Sequence, residues 1–329
     1  MNIATKSAVY YHAAHGIPGR TFKTAQQLAK ERQQLAQHRQ FLQNRVMNTY
    51  AVVDLIFRAL ANRQGFSFIR LGDSELLILA QDLMFPSSID ISQWGSLLAD
   101  LCCDHDLGEG DDEVSRWGYI VRVSGNQFPD PLAREYLKKA VFSASLIGIP
   151  SVYRPGRSLE HMKLLEGFQT LFLKILSKLA IPLENLKLAD SAEHHMLHAS
   201  GCFRKLLVPD QYPGLCQQFG LPRGFQPQIL LIGNLASPFA ELLKAEGCNI
   251  AAAIQPVGMN NIEAVINQIH QYSFDLALVS AGTAAKYICT SIARQMGKVA
   301  LDTGQLFDEL LQYGNLNHEG FEIPYMSFM

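Results

Sequence analysis

Two carboxylates, Asp73 and Glu75, stand two positions apart in the run Arg70-Leu71-Gly72-Asp73-Ser74-Glu75. In an extended turn, positions i and i+2 point the same way, so both side chains can converge on one cation. Hard divalent ions such as Mg²⁺ take oxygen ligands, commonly one or two carboxylates together with substrate phosphates. The same residues also fit a helix start, with Asp73 as the N-cap and Glu75 in the first turn facing the helix dipole. Spacing alone does not separate the two readings. A second candidate lies at Gly282-Thr283, which opens a helix directly after an apolar strand, with Lys286 one turn on. Free N–H groups and the helix dipole favour phosphate there, and Lys286 would add a cation. A tight strand-to-helix turn explains the same glycine.

Other chemistry is excluded or weak. No G-x-G-x-x-G follows a strand, and no G-x-x-x-x-G-K-[ST] is present. The dinucleotide fingerprint and the P-loop are therefore absent. A methyltransferase-like reading of residues 229–237 is weak. His194 and His198 share a helix face, but His195 stands where a zinc-peptidase helix needs glutamate. That helix is expected to pack rather than to bind metal. The acidic run at 108–113 lacks the spacing of an EF-hand loop and reads as solvated.

The elements that must position these residues follow from hydropathy. Residues 66–71 alternate as a strand and stop at Gly72, after which an apolar helix begins. Helix is expected over 21–63, with the part from 46 to 61 more buried. Leu28, Leu35 and Leu42 recur every seven residues in its first half, too few repeats for a coiled coil. Further helices are expected at 92–103, 131–144 and 159–179. Strands are expected at 145–151 and 186–188, the latter followed by Asp190. From 226 onward strands at 229–232, 250–254, 276–280 and 299–301 alternate with helices at 238–245, 262–272, 284–296 and 306–313. Short apolar strands joined by amphipathic helices imply an α/β fold, a parallel sheet covered on both faces. Ligands in such sheets bind at the C-terminal strand ends. Those ends carry Gly233-Asn234, Gln255-Pro256, Ala281-Gly282-Thr283 and Asp302-Thr303-Gly304.

The totals agree with a folded chain. It has 329 residues, 48% hydrophobic and 18% charged, which excludes a disordered protein. A net charge of −2 excludes a general pull toward nucleic acid. The basic residues concentrate between Arg20 and Arg63, expected to be a solvated helix face. Six cysteines without a C-x-x-C pair fit buried thiols in a reducing cytoplasm. No signal peptide and no membrane span are recognisable, so a cytoplasmic location is expected.

Several of these residues together resemble a known family. The run Arg70 to Glu75 after a short strand is similar to the Asp-x-Glu signature of the bacterial GT-D-fold glycosyltransferases. Residues 275–286 resemble that family's segment of strand, Gly, Thr and helix. Lys298 to Gly304 resembles its closing Asp-x-Gly, and 190–204 its Asp followed by a helix and a basic residue. The resemblance spans roughly residues 46–314 in matching order. It implies a Rossmann-like α/β domain over 46–329. The helical extension over 1–45 lies outside the resemblance and is expected to serve assembly with a second copy or a partner. The resemblance implies transfer of a sugar from a nucleotide-sugar donor, UDP-linked or similar, to an acceptor hydroxyl in bacterial glycan or glycoprotein assembly. Asp73 and Glu75 would serve a divalent metal, Mn²⁺ or Mg²⁺. Arg70, Gly72, Arg204, Gly282, Thr283, Lys286, Gly304 and Gln305 would hold the nucleotide and its phosphates. Asp190 and Asp302 are candidates for the base or for ribose contacts. One departure stands out: Gln305 occupies a position where the family often has histidine, and glutamine is a poor ligand for a transition metal. That leaves a nucleotide- or sugar-binding homologue without turnover as the alternative, beside another Rossmann-like transferase such as a methyltransferase.

Overall fold

The computed structural model describes residues 45–84, 121–123, 126–128, 130–150, 159–181, 186–190 and 201–314, with isolated positions at 33, 37, 40, 197 and 316. Of the expected helix over 21–44, positions 33, 37 and 40 are described and are helical. The rest of it, the expected helix over 92–103, the acidic run at 108–113 and His194, His195 and His198 lie outside the described residues.

Eight parallel strands form one sheet in the order β1-β6-β5-β2-β10-β9-β7-β8. They are β1 (Val46–Met47), β2 (Phe66–Arg70), β5 (Leu146–Ile149), β6 (Leu188–Asp190), β7 (Ile229–Gly233), β8 (Ile250–Ile254), β9 (Leu276–Ser280) and β10 (Val299–Asp302). A separate antiparallel pair is formed by β3 (Val121–Val123) and β4 (Asn126–Phe128). The sheet carries α1 (Thr49–Ala61), α5 (Cys202–Leu207), α6 (Pro213–Phe219), α7 (Ala236–Ala245) and α10 (Leu306–Tyr313) on one face. The other face carries α2 (Asp73–Met84), α3 (Pro131–Ser143), α4 (Leu159–Lys178), α8 (Ile262–Ile269) and α9 (Ala284–Ser291).

The strands are apolar on both sides because both sides are covered. In β9, Leu276 and Leu278 face one helical layer while Ala277 and Val279 face the other, and all four are buried. Each large aliphatic side chain buried this way stabilises the fold by about 1.5–3 kcal/mol. Polar groups inside are matched. In β2, Ser67 is buried, and its Oγ accepts from the Ser145 backbone N–H while the Ser145 Oγ accepts from the Ser67 N–H.

Most expected elements are present, with instructive differences. Val46 and Met47 were expected to be helical but form an edge strand on β6. Asn48 then caps α1 by accepting from the Ala51 N–H, which stops any helix from running through it. Asp190 ends strand β6 rather than following it. Helix α9 ends at Ser291 and passes into a π-helical turn, Ile292–Met296. Here Gly65 lies so close to the Ala293 carbonyl that a Cβ at Gly65 would collide with it. Glycine at position 65 thus lets the chain entering β2 pack against this turn.

That meeting matters most. The sequence suggests a C-terminal sheet served by an N-terminal turn. Instead β10, the last strand, pairs with β2, with Leu301 opposite Phe68. From β2 the chain moves outward to β5 and β6, whereas β10 is reached from the β9 side. The β2–β10 junction is therefore where the winding direction changes, the place where α/β sheets open a crevice beyond the strand ends.

Candidate active site

The crevice is built from the last residues of β2 and β10 and the first turns of α2 and α9. Strand β2 ends at Arg70, and Gly72 acts as the N-cap of α2, its carbonyl accepting from the Leu76 N–H. Asp73 is thus the first helical residue rather than the cap. Glu75 is the third, and its Oε2 accepts from the Gly72 N–H at 2.9 Å, one half of a capping box. The Asp73 side chain lies outside the described part of the structure.

The other Glu75 oxygen has a second partner. Lys286, from the first turn of α9, places its Nζ 2.9 Å from Glu75 Oε1 and 3.1 Å from Asp302 Oδ2. Its ammonium also donates to the Gly282 carbonyl at 3.0 Å. All three of its donors are taken up. Asp302 is fully enclosed. Its Oδ2 also accepts from the Arg70 backbone N–H at 3.0 Å, its Oδ1 accepts from the Gly304 N–H at 3.1 Å, and the Arg70 Nε stands 3.8 Å from Oδ1.

Burial alone would push the Glu75 carboxyl up, but the ammonium of Lys286 outweighs it and holds Glu75 below its ordinary range. Burial would likewise depress Lys286, and the carboxylates of Asp302 and Glu75 reverse this and raise it. Both groups are charged at neutral pH. Two carboxylates and two cations balance in the cluster. The cations differ in access: the Lys286 side chain is 3% exposed and that of Arg70 21%.

The loop after β10 is fastened in the same way. Gly304 has φ +55°, and the Arg70 guanidinium occupies the space a Cβ would need. The Ser280 Oγ donates to the Gly304 carbonyl at 2.5 Å, and the Thr303 N–H to the Val279 carbonyl at 2.9 Å. Gln305 follows, exposed, at the N-terminus of α10.

The remaining expected residues divide. Gly282, with φ +51°, has open space where a Cβ would point, and Thr283 is buried at the start of α9. That helix start faces the crevice. Asp190 is buried at the C-terminal end of β6, two strands from β2, or about 10 Å sideways. Arg204 is elsewhere. Its guanidinium pairs with Glu246, just beyond the far end of α7, at the N-terminal edge of the sheet. It does not join the cluster. The closure of Glu75 by Lys286 was not recognisable from the sequence, where the two are more than 200 positions apart. The only local signal was a lysine one turn into the α9 helix.

The donor set also bears on the expected divalent metal. At an effective dielectric of about 20, a divalent ion about 4 Å from an ammonium is repelled by about 8 kcal/mol. Glu75 already has Lys286 on one oxygen and an N–H on the other, and the charge of Asp302 is met by Lys286 and Arg70. The described residues of the cluster therefore do not fit a divalent ion held by Glu75.

Comparison with known proteins places the fold. A family model described as "GT-D fold-like domain" matches residues 47–212 and 214–310. Among solved structures, one titled as a new glycosyltransferase (DUF1792) from Streptococcus sanguinis is similar at 17% identity, covering 83% of this chain and 86% of that one, with a TM-score of 0.45. Another, titled as the domain of unknown function 1792 with a distinct glycosyltransferase fold, is similar at 13% identity, covering 85% and 98%, with a TM-score of 0.40. None of the curated proteins matches the sequence.

Proposed function

The chain belongs to the GT-D-like family, and from that premise we propose that it is a glycosyltransferase acting on a nucleotide-sugar donor, UDP-linked by preference. The observation that carries the reading is the crevice itself. At the β2–β10 junction a partly exposed guanidinium, Arg70, stands over Asp302, and Lys286 links Asp302 to the Gly282 carbonyl at the start of α9. Together they suit the diphosphate of such a donor, which a guanidinium can bind through two parallel hydrogen bonds.

In the proposed reaction the acceptor hydroxyl attacks the anomeric carbon of the donor. The bond from that carbon to the diphosphate oxygen breaks, and the nucleoside diphosphate leaves with the bonding electrons. Arg70 and the N-terminus of α9 stabilise the charge that develops on it. The hydroxyl proton needs a carboxylate acceptor. The base is assigned to Asp73, the first residue of α2. The acceptor belongs to bacterial glycan or glycoprotein assembly. Asp302 positions Arg70 and the 303–305 loop.

The test is release of UDP from a panel of UDP-sugars, with UDP affinity measured in parallel. Turnover of one donor, lost at least 100-fold in Asp73→Asn with UDP binding retained, is the expected result. A protein that binds UDP but turns over no donor with any sugar acceptor is instead a binding homologue, the second reading that Gln305 favours.

A further inference from the structure

We infer that Lys286 takes the place of a divalent cation at the Asp73–Glu75 turn, so that this chain binds a nucleoside diphosphate without a metal ion. The nucleotide half of the inference rests on the transferase reading. The cation half stands on the cluster alone.

The ammonium lies between Glu75 Oε1 and Asp302 Oδ2, with the Gly282 carbonyl as its third oxygen partner. Three oxygens around one buried cation describe a site that is already filled. Lys286 is fixed there by its place in α9 and by burial, so it cannot swing away without leaving two enclosed carboxylates face to face. Unpaired buried charge of that kind is among the most destabilising arrangements a protein can hold. The second Glu75 oxygen is tied to the Gly72 N–H, so both carboxylate oxygens already have a partner inside the protein. The residue best placed after Gly304 to meet a ligand is Gln305, which offers a neutral amide. The charge of a bound diphosphate is then met by protein groups, Arg70 and the start of α9. Lys286 acts one layer below, as a positioning residue that keeps Glu75 and Asp302 neutralised.

The test is Mn²⁺ titrated into the full chain by calorimetry, with thermal unfolding followed in Mn²⁺ and in EDTA. No saturable binding below millimolar Mn²⁺, and an unfolding midpoint unmoved by either addition, is the expected result. One Mn²⁺ bound at micromolar concentration and lost in Glu75→Gln would overturn the inference. Lys286→Met removes the internal cation, and its lowered midpoint is expected to rise again with Mn²⁺. A folded Lys286→Met protein indifferent to Mn²⁺ also counts against the inference. If that variant does not fold, the titration of the unaltered chain decides. In the last arm UDP is titrated in EDTA and again in Mn²⁺. Equal affinity supports the inference, and binding only with Mn²⁺ overturns it. Absence of UDP binding in both sinks the nucleotide reading, while the cation claim is judged on Mn²⁺ alone.

Discussion

Lys286 and Arg204 are both cations on helices that flank the same sheet, and both meet carboxylates, yet at opposite edges and with different consequences. At the C-terminal edge Lys286 joins two carboxylates, one from α2 and one from β10, with Asp302 wholly enclosed and Lys286 nearly so. At the N-terminal edge Arg204 meets Glu246, and both side chains keep partial access to solvent, 23% and 18%. Water screens the second pair and leaves it replaceable. It cannot screen the first, where removal of one member strands the others. Charge of the same kind is therefore a fastening in one place and a surface detail in the other. The edge that carries the buried cluster is also the edge where the sheet changes direction.

The comparison breaks most readily at Lys286. Lys286→Met should lower the unfolding free energy by about 3–5 kcal/mol, read from urea denaturation. A loss under 1 kcal/mol would mean that the cluster is no more coupled than the Arg204 pair.

A smaller loss is expected from acid and base. Glu75 is held below its ordinary value, so its contribution is present above the unfolded carboxyl value of about 4.3 and lost as pH falls through the lower folded value. Lys286 is raised, so its contribution is present below about pH 10.4 and lost as pH rises through the higher folded value. The contribution of these two groups should be flat between these limits. Glu75→Gln should remove much of the acid limb, and an unchanged limb would deny Glu75 its pairing.

Gly304→Ala forces a side chain into the left-handed region and against the Arg70 guanidinium. It should cost about 1–3 kcal/mol and weaken UDP binding by displacing Arg70. Unchanged affinity would separate Arg70 from the nucleotide. The smallest effect belongs to the other edge. Arg204→Met should cost about 1 kcal/mol or less and leave UDP affinity unchanged. A loss of UDP affinity there would return Arg204 to the site.

Much of this architecture is written locally. The alternation of apolar strands and amphipathic helices after residue 226 marks β7 to β10, because burial on both faces demands continuous apolar strands. The bounds of β8, β9 and α10 coincide with those read from hydropathy. Gly72, Gly282 and Gly304 mark the strand ends where the backbone turns, since such turns need φ values or close approaches that other residues resist. Among the described residues no helix is long and apolar enough to cross a membrane, and Cys202, Cys216, Cys248 and Cys289 are buried thiols. Short elements were less legible. The β1 strand has two residues, the β3–β4 pair three each, and α5 and α6 six and seven, too few to show a period.

Strand order was beyond the reach of hydropathy, because every buried parallel strand carries the same apolar signature. Only the tertiary structure set β10 against β2, and with it brought Asp302 to the Arg70 backbone across 232 positions of chain. The role of each charged residue was decided the same way. Sequence spacing offered Asp73 and Glu75 as a pair for one external cation and Lys286 as a hand for phosphate. Packing instead turned Lys286 inward onto Glu75 and sent Arg204 to the far edge. A side chain's charge is a property of its type. What that charge meets is a property of the fold, since the energy of an ion depends on burial and on partners that the linear chain keeps far apart.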